Sequence, residues 1–165
     1  MGFDLNKEEV REKSKFFDKD GVHEVELTDL KLIETTRKGP MVVIEMRVVE
    51  TNDSDIYKGD TYAQILKVQS DSFGRAMKEI LVGLKGCKTK EEIAATDWNK
   101  VYATEVEGHA LGFVGNTYRL RTTVKATKKI IDVVDGKPVY GKFTIHEYRK
   151  LDDEDAVPSI PSLPR

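Results

Sequence analysis

Hydrophobic residues recur at every second position in three consecutive stretches of the first half of the chain. The alternation begins at Val25 and changes phase at residues 28–29, which predicts a β-bulge there. It resumes over residues 42–48 and again over residues 62–68, each time after a polar turn. Because short loops join these stretches, we expect three consecutive strands in an antiparallel meander.

The hydrophobic spacing then changes to three and four, which is typical of an amphipathic helix ending at Gly86. The apolar positions of this helix are Phe73, Met77, Ile80, Leu81 and Leu84. Thr89 and Glu92 have capping-box spacing, so further helix is expected after them. The pattern does not define a boundary between Val106 and Val114.

Alternation returns in the last third of the chain. A fourth strand is expected to open at residues 115–116, with Tyr118, Leu120 and Thr122 on one face. The Asp135-Gly136 pair between two extended stretches predicts a hairpin turn and a fifth strand reaching about Lys150.

The predicted fold class is mainly β with a helical insert. Three strands, helices and a hairpin are the element order of the OB-fold, a five-stranded Greek-key barrel with its helix between strands three and four. An open sheet with one helical cover uses the same elements and remains the structural alternative. We expect a helical arm over residues 1–20, a domain over 21–150, and a disordered, acidic, proline-containing tail over 151–165.

Composition narrows the functional classes. A chain of 165 residues is one domain, and with 39% hydrophobic residues it can form a core without disulfide or metal support. The sequence has no apolar stretch of about 20 residues and no signal peptide, so neither a membrane span nor secretion is expected. The single cysteine, Cys87, excludes an intrachain disulfide and favours a cytoplasmic location, which is the host cytoplasm if the protein is phage-encoded.

The net charge of −2 conceals an uneven distribution along the chain. Residues 116–150 contain nine basic and three acidic side chains, whereas residues 151–165 contain one basic and four acidic side chains. This asymmetry predicts a polyanionic partner and an acidic tail that competes with it.

Residues with catalytic or metal-binding chemistry do not form a known pattern. His23, His109 and His146 are scattered, and none has a ligand spacing to Cys87. The acidic loop at residues 52–60 is better explained as a strand connection than as a cation site. We therefore expect no enzyme activity, no cofactor and no metal.

The candidate site is a nucleic-acid interface formed by cations and rings on the last two strands. Cations neutralise phosphates, and exposed rings stack on unpaired bases for about 1–3 kcal/mol each. If Phe143 and Ile145 fill the core, the tyrosines, Lys142 and His146 lie outside. The alternative is that Tyr118, Tyr140 and Tyr148 are half-buried strand residues. The predicted contact residues are Arg37, Lys38, Arg47, Lys67, Arg119, Arg121, Lys125, Lys128, Lys129, Tyr140, Lys142, His146 and Tyr148.

Several short segments resemble small phage-encoded single-stranded-DNA-binding proteins. They are residues 1–6, the strand pair at 27–49, the turn at 57–59, the helix ending at Gly86, and residues 115–120. The resemblance covers roughly residues 1–150. It implies an OB-fold and sequence-independent coating of single strands in phage replication or recombination.

The resemblance also implies a role for the tail. In several such families an acidic C-terminus recruits replication or recombination proteins and competes with DNA, and the acidic residues here are Asp152, Asp153, Glu154 and Asp155. The last residues, 162–165, lack the apolar or aromatic hook of those families and end in a basic residue.

Two alternative functions remain open. The same fold could serve as a protein-interaction or assembly module without nucleic-acid binding, with the tail and the N-terminal helix as its contacts. An enzyme, most plausibly a nuclease, ranks third. The sequence leaves open a homo-oligomer, the choice between DNA and RNA, and the site size.

Overall fold

The computed structural model describes Phe17 and residues 19–151. These residues include the whole of the domain expected over 21–150. Most of the expected arm at residues 1–20 and the acidic tail after Leu151 lie outside the described residues.

Five strands make up most of the structure, which is mainly β as the hydrophobic pattern predicts. The strands are β1 (Gly21–Thr35), β2 (Gly39–Thr51), β3 (Thr61–Lys67), β4 (Thr117–Val134) and β5 (Lys137–Lys150). They form one antiparallel sheet in the order β3-β2-β1-β4-β5, so β3 and β5 are its two edges. The predicted meander of the first three strands is confirmed.

The turns and irregularities of the sheet follow local sequence signals. The β1–β2 register shifts between Leu27 and Asp29, where the phase of the alternation changes. Asp135 and Gly136 both have positive φ, at 53° and 77°, as a two-residue type I′ hairpin requires. The predicted bulge and the predicted hairpin turn are therefore confirmed.

The helical block lies between β3 and β4. It contains α1 (Phe73–Lys85), α2 (Lys90–Ala94), α3 (Trp98–Tyr102) and a single π-helical turn (Ala103–Glu107), so the boundary that the pattern left open falls at Glu107. Gly86 ends α1 with a φ of 83°, and the Thr89 hydroxyl accepts a hydrogen bond from the Glu92 amide as its capping spacing predicts.

The core lies between the inner face of the sheet and α1. Met77, Ile80, Leu81 and Leu84 of α1 are buried against sheet residues that include Val42, Ile44 and Leu120. A side chain at Gly83 would overlap the carbonyl oxygen of Tyr148, so α1 can approach β5 this closely only because residue 83 is glycine. None of the helices formed by residues 19–151 has both the length and the apolarity needed to cross a membrane.

Candidate nucleic-acid interface

Strand β4 continues far beyond its neighbour β1. The β1–β4 pairing ends where Gly21 lies opposite Thr122, but β4 extends to Val134 and stays paired with β5. The chain therefore projects from the sheet as a two-stranded segment on the order of 30 Å long. We call residues 123–143 the ribbon and the remaining sheet the sheet body.

The ribbon places lysines beside aromatic rings. Lys125 lies opposite Phe143, and Tyr140 lies opposite Ile130. Residues that are directly opposite in an antiparallel pair share a face, so each ring lies on the same face as its cross-strand neighbour. Both Tyr140 and Phe143 are exposed, at 43% and 48% of their surface.

The ribbon also carries most of the exposed apolar surface. Of ten large hydrophobic side chains exposed in the described residues, seven lie on the ribbon: Ile130, Ile131, Val133, Val134, Val139, Tyr140 and Phe143. Contiguous exposed apolar surface on a soluble protein usually marks a binding site.

The ribbon carries a net positive charge. Residues 123–143 contain five lysines and two aspartates, and no ion pair between described residues involves a ribbon lysine. Several cations elsewhere are paired with carboxylates, as in Arg47–Glu26 at 2.9 Å and Lys58–Glu50 at 2.7 Å. The ribbon is therefore suited to attract an anion.

The predicted arginines of β4 lie elsewhere, on the sheet body. Arg119 is 7% exposed and lies opposite Arg149 on β5 and Glu24 on β1. Together with Arg121 and Lys150 it lines a pocket of about 530 Å³, which we call the basic pocket. Lys88 and Arg149 also line this pocket, together with the acidic residues Glu79 and Glu147, so it has five basic and two acidic lining residues, the same ratio as the ribbon.

The remaining predicted cations are not brought together. Arg37 and Lys38 occupy the β1–β2 turn, at the opposite end of β1 from the ribbon. Arg47 is held by Glu26, and Lys67 is exposed on the edge strand β3. Of the thirteen predicted contact residues, the ribbon contains five: Lys125, Lys128, Lys129, Tyr140 and Lys142.

The prediction that Tyr148 lies outside was wrong. Its side chain is 6% exposed, and its hydroxyl donates a hydrogen bond to Gln64 Oε1 at 2.7 Å. Burial raises the pKa of this phenol far above its usual value. Tyr148 is opposite Leu120, whose face forms the core, and cross-strand neighbours share a face.

The same alternation along β5 exposes Phe143, which was expected in the core, and partly buries His146, which was expected outside. Phe143 is exposed, and Ile145 is half-buried. His146 turns inward, and burial lowers its pKa to about 4. Residues 144, 146 and 148 do share a face, as expected, and His146 and Tyr148 on it turn towards the core, whereas Tyr140 and Lys142 lie on the ribbon and are exposed.

A small aromatic cluster lies where the ribbon leaves the sheet body. The Phe17 ring is 4.5 Å from the His23 ring and 6.0 Å from the His146 ring, centroid to centroid. His23 is fully buried, its ring nitrogens lying 2.7 Å from Thr51 Oγ1 and 3.2 Å from Thr122 Oγ1. Burial lowers the pKa of His23 to about 4, so it is neutral at pH 7.

Phe143, Ile130 and Lys137 lie on the ribbon but are not among the contact residues predicted from the sequence. Strand lengths alone gave no signal for them, because β4 has 18 residues and its neighbour β1 has 15. The ribbon projects because β1 pairs only with Thr117–Thr122 of β4, and this register is not visible in the sequence.

Comparison with known proteins does not place the chain in a family. No protein-family model matches it, and a search against curated proteins finds no match. The ribbon, the basic pocket and the surfaces next to them are therefore the features from which a function can be inferred.

Proposed function

We propose that this protein binds single-stranded DNA without sequence preference, and that the ribbon is its main contact surface. The observation that carries the proposal is the coincidence of lysines and exposed rings on one projecting segment. Lysines attract the phosphates, and Tyr140 and Phe143 offer flat surfaces to unpaired bases.

Single strands suit the ribbon better than duplex DNA. Stacking on Tyr140 or Phe143 requires a base whose face is free, and bases in a duplex are already stacked. A protein that reads the duplex commonly inserts a recognition helix into the major groove. The short helices α2 and α3, of five residues each, do not provide such an element.

The order of the strands supports the proposal that the sheet is a variant of the OB-fold. The order β3-β2-β1-β4-β5 corresponds to a five-stranded barrel left open between β3 and β5, with helices inserted after β3. In OB-folds the loops after the first and fourth strands flank the oligonucleotide site. Here these positions are the Arg37-Lys38 turn and the tip of the ribbon.

The proposed mechanism is non-enzymatic and needs no cofactor. Binding single strands but not duplex shifts the melting equilibrium towards separated strands by mass action. The resemblance to phage proteins extends the proposal to phage replication or recombination in the host cytoplasm. Replication or recombination proteins would then be partners of the acidic tail.

Fluorescence anisotropy with labelled oligo-dT and a duplex of equal length, across a salt series, tests this function. We expect tighter binding to oligo-dT, with log affinity falling by roughly 0.7 per phosphate contact for each unit of log salt. The triple variant Lys125→Glu, Lys128→Glu, Lys129→Glu should lose most of the binding.

A matched control reverses three exposed lysines on the helical side: Lys78→Glu, Lys90→Glu and Lys100→Glu. It changes the net charge equally but leaves the ribbon unaltered, so it should retain most of the affinity. Equal losses in the two triple variants, or a flat salt response of the wild type, would contradict a ribbon-centred DNA site.

A protein-binding role is the second candidate, and the tip of the ribbon favours it. Ile131, Val133, Val134 and Val139 are aliphatic and exposed, and aliphatic side chains are poorer partners for bases than rings are. Absence of oligo-dT binding, with capture of a protein partner that Val133→Glu abolishes, would favour this role.

A further inference from the structure

The two edges of the sheet, β3 and β5, face each other across a cleft of about 360 Å³. The cleft is lined by the consecutive residues 62–66 of β3, by residues 142–144 of β5 and by His146. Successive residues of a strand point to opposite faces, so a run of consecutive lining residues means that the cleft presents the strand edges themselves. Such edges can accept an extended segment of chain.

The start of the described chain occupies the inner end of this cleft. Phe17 is 2% exposed, and its ring centroid lies 4.7 Å from that of Tyr62 on β3. Its carbonyl oxygen accepts a hydrogen bond from Thr144 Oγ1 on β5 at 2.7 Å. Further along, the Lys19 carbonyl accepts one from Thr122 Oγ1 at 2.8 Å. The chain therefore enters the sheet body through the cleft.

The outer side of the cleft is apolar and uncovered. Ile65 of β3 is 55% exposed and Phe143 of β5 is 48% exposed, and both line the cleft. Aliphatic and aromatic side chains placed on both walls of a strand-sized opening favour an apolar occupant.

We propose that the cleft between β3 and β5 is the docking site of residues 1–16 of this chain. These residues immediately precede Phe17, so the occupant is already tethered at the cleft and has a high local concentration there. Strand β3 has seven residues and spans about 23 Å. Sixteen residues span roughly 24 Å as a helix, the form expected from the sequence, and roughly 50 Å when extended, so the segment is long enough to cover the whole edge in either form.

The sequence of the segment fits this site. It carries Leu5, Val10 and Phe16 among charged residues. Phe16 is the apolar residue of the segment nearest in sequence to Phe17, which lies in the cleft beside the walls formed by Ile65 and Phe143. Docking would place residues 1–16 against Phe143, so this ring would be less accessible to a base while the segment is docked, whereas Tyr140 does not line the cleft. Docking requires no DNA, so it can be tested in the absence of the proposed ligand.

Hydrogen–deuterium exchange of the full-length protein, without DNA and at two protein concentrations, tests the docking. We expect residues 1–16 to exchange more slowly than an unstructured chain, equally at both concentrations. Ile65→Glu should speed exchange in residues 1–16 and in β5 residues 142–146 by tenfold or more. Val133→Glu is the matched control, because Val133 is 62% exposed but lies near the tip of the ribbon, and it should change neither.

Unchanged exchange in strands β1 and β2 shows that each variant is folded. Phe16→Ser repeats the test from the side of the occupant and leaves the described sheet unaltered. Exchange of residues 1–16 at the rate of an unstructured chain would overturn the proposal, and so would insensitivity to both Ile65→Glu and Phe16→Ser. Protection that grows with protein concentration would also overturn it, because the segment would then be docking on a second copy.

Discussion

Two halves of one strand, β4, show how differently similar cations can be placed. Arg119 and Arg121 lie where β4 is flanked by β1 and β5, and the acidic residues Glu24 and Glu147 are opposite them. Lys125 and the lysines after it lie where β1 has ended, and the ribbon has two aspartates to five lysines. The DNA contact proposed for the ribbon therefore lies on the half of β4 whose partners on β5 carry no carboxylate.

Two aromatic residues of β5 likewise differ in their surroundings. Tyr148 and Phe143 are five residues apart, an odd number, so they lie on opposite faces of the strand. Tyr148 is covered by α1 and the inner face of the sheet, whereas nothing in the described chain covers most of Phe143. Tyr148 should therefore matter for stability and Phe143 for binding.

The largest expected effect tests this pair directly. Tyr148→Ala should lower the free energy of unfolding by about 3–5 kcal/mol, because it leaves a cavity and removes the partner of Gln64. Phe143→Ala should lower it much less, because this ring is 48% exposed and its removal leaves no closed cavity. Urea unfolding followed by circular dichroism measures both, and comparable losses would refute the assigned faces.

Lowering the pH should reduce the free energy of unfolding by a somewhat smaller amount than Tyr148→Ala does. The pKa of His23 is lowered to about 4 in the folded protein, so as pH falls the unfolded chain binds a proton first. The stability contributed by neutral His23 is present above about pH 6.5 and is lost between pH 6.5 and pH 4, by roughly 3 kcal/mol. His146 acts in the same direction.

Denaturant unfolding at pH 7.5, 6 and 4.5 checks this expectation. His146→Gln should reduce the pH dependence, because glutamine does not titrate, while the His23 contribution remains. Wild-type stability that is unchanged between pH 7.5 and pH 4.5 would show that the two imidazoles are not buried in their neutral form.

Removing the exposed rings of the ribbon should have a smaller effect, which is measured on the free energy of DNA binding. Tyr140→Ala and Phe143→Ala should each weaken oligo-dT binding by about 1–3 kcal/mol if the ring stacks on a base. Tyr57→Ala is the control, since this ring is equally exposed, at 42%, but belongs to the β2–β3 loop. Anisotropy at one fixed salt concentration gives the values, and a loss as large in Tyr57→Ala would argue against ribbon-specific stacking.

The smallest expected effect concerns the acidic tail. The tail begins immediately after β5, whose last residues Arg149 and Lys150 line the basic pocket. The tail is tethered to the strand that also carries Lys142 of the ribbon, so we expect its four carboxylates to compete with DNA for both the pocket and the ribbon. Deleting residues 152–165 should tighten single-strand binding several-fold at low salt, and the gain should shrink as salt screens the charges.

Measuring the affinities of the truncated and full-length proteins for single-stranded DNA across one salt series shows whether the tail competes with DNA. If truncation leaves the affinity unchanged at low salt, the tail does not compete with DNA. In that case the charge asymmetry of the sequence has no role in binding.

The sequence by itself determined the local structure of this protein. The phase change at residues 28–29, the caps at Thr89 and Gly86, and the Asp135-Gly136 turn depend on backbone preferences and hydrogen bonds between near neighbours. The set of residues on each face of β4 and β5 was also predictable, because side chains alternate strictly along a strand.

Only the tertiary structure decided which face turns inward and where neighbouring strands end. Alternation alone does not say whether Tyr148 or Phe143 meets the core, since both are apolar enough for either place. Cross-strand pairing with Leu120 and the close approach of α1 at Gly83 decide it. The end of β1 opposite Thr122 then separates arginines that have glutamates opposite them from exposed lysines, and that separation depends on strand pairs about a hundred residues apart in the chain.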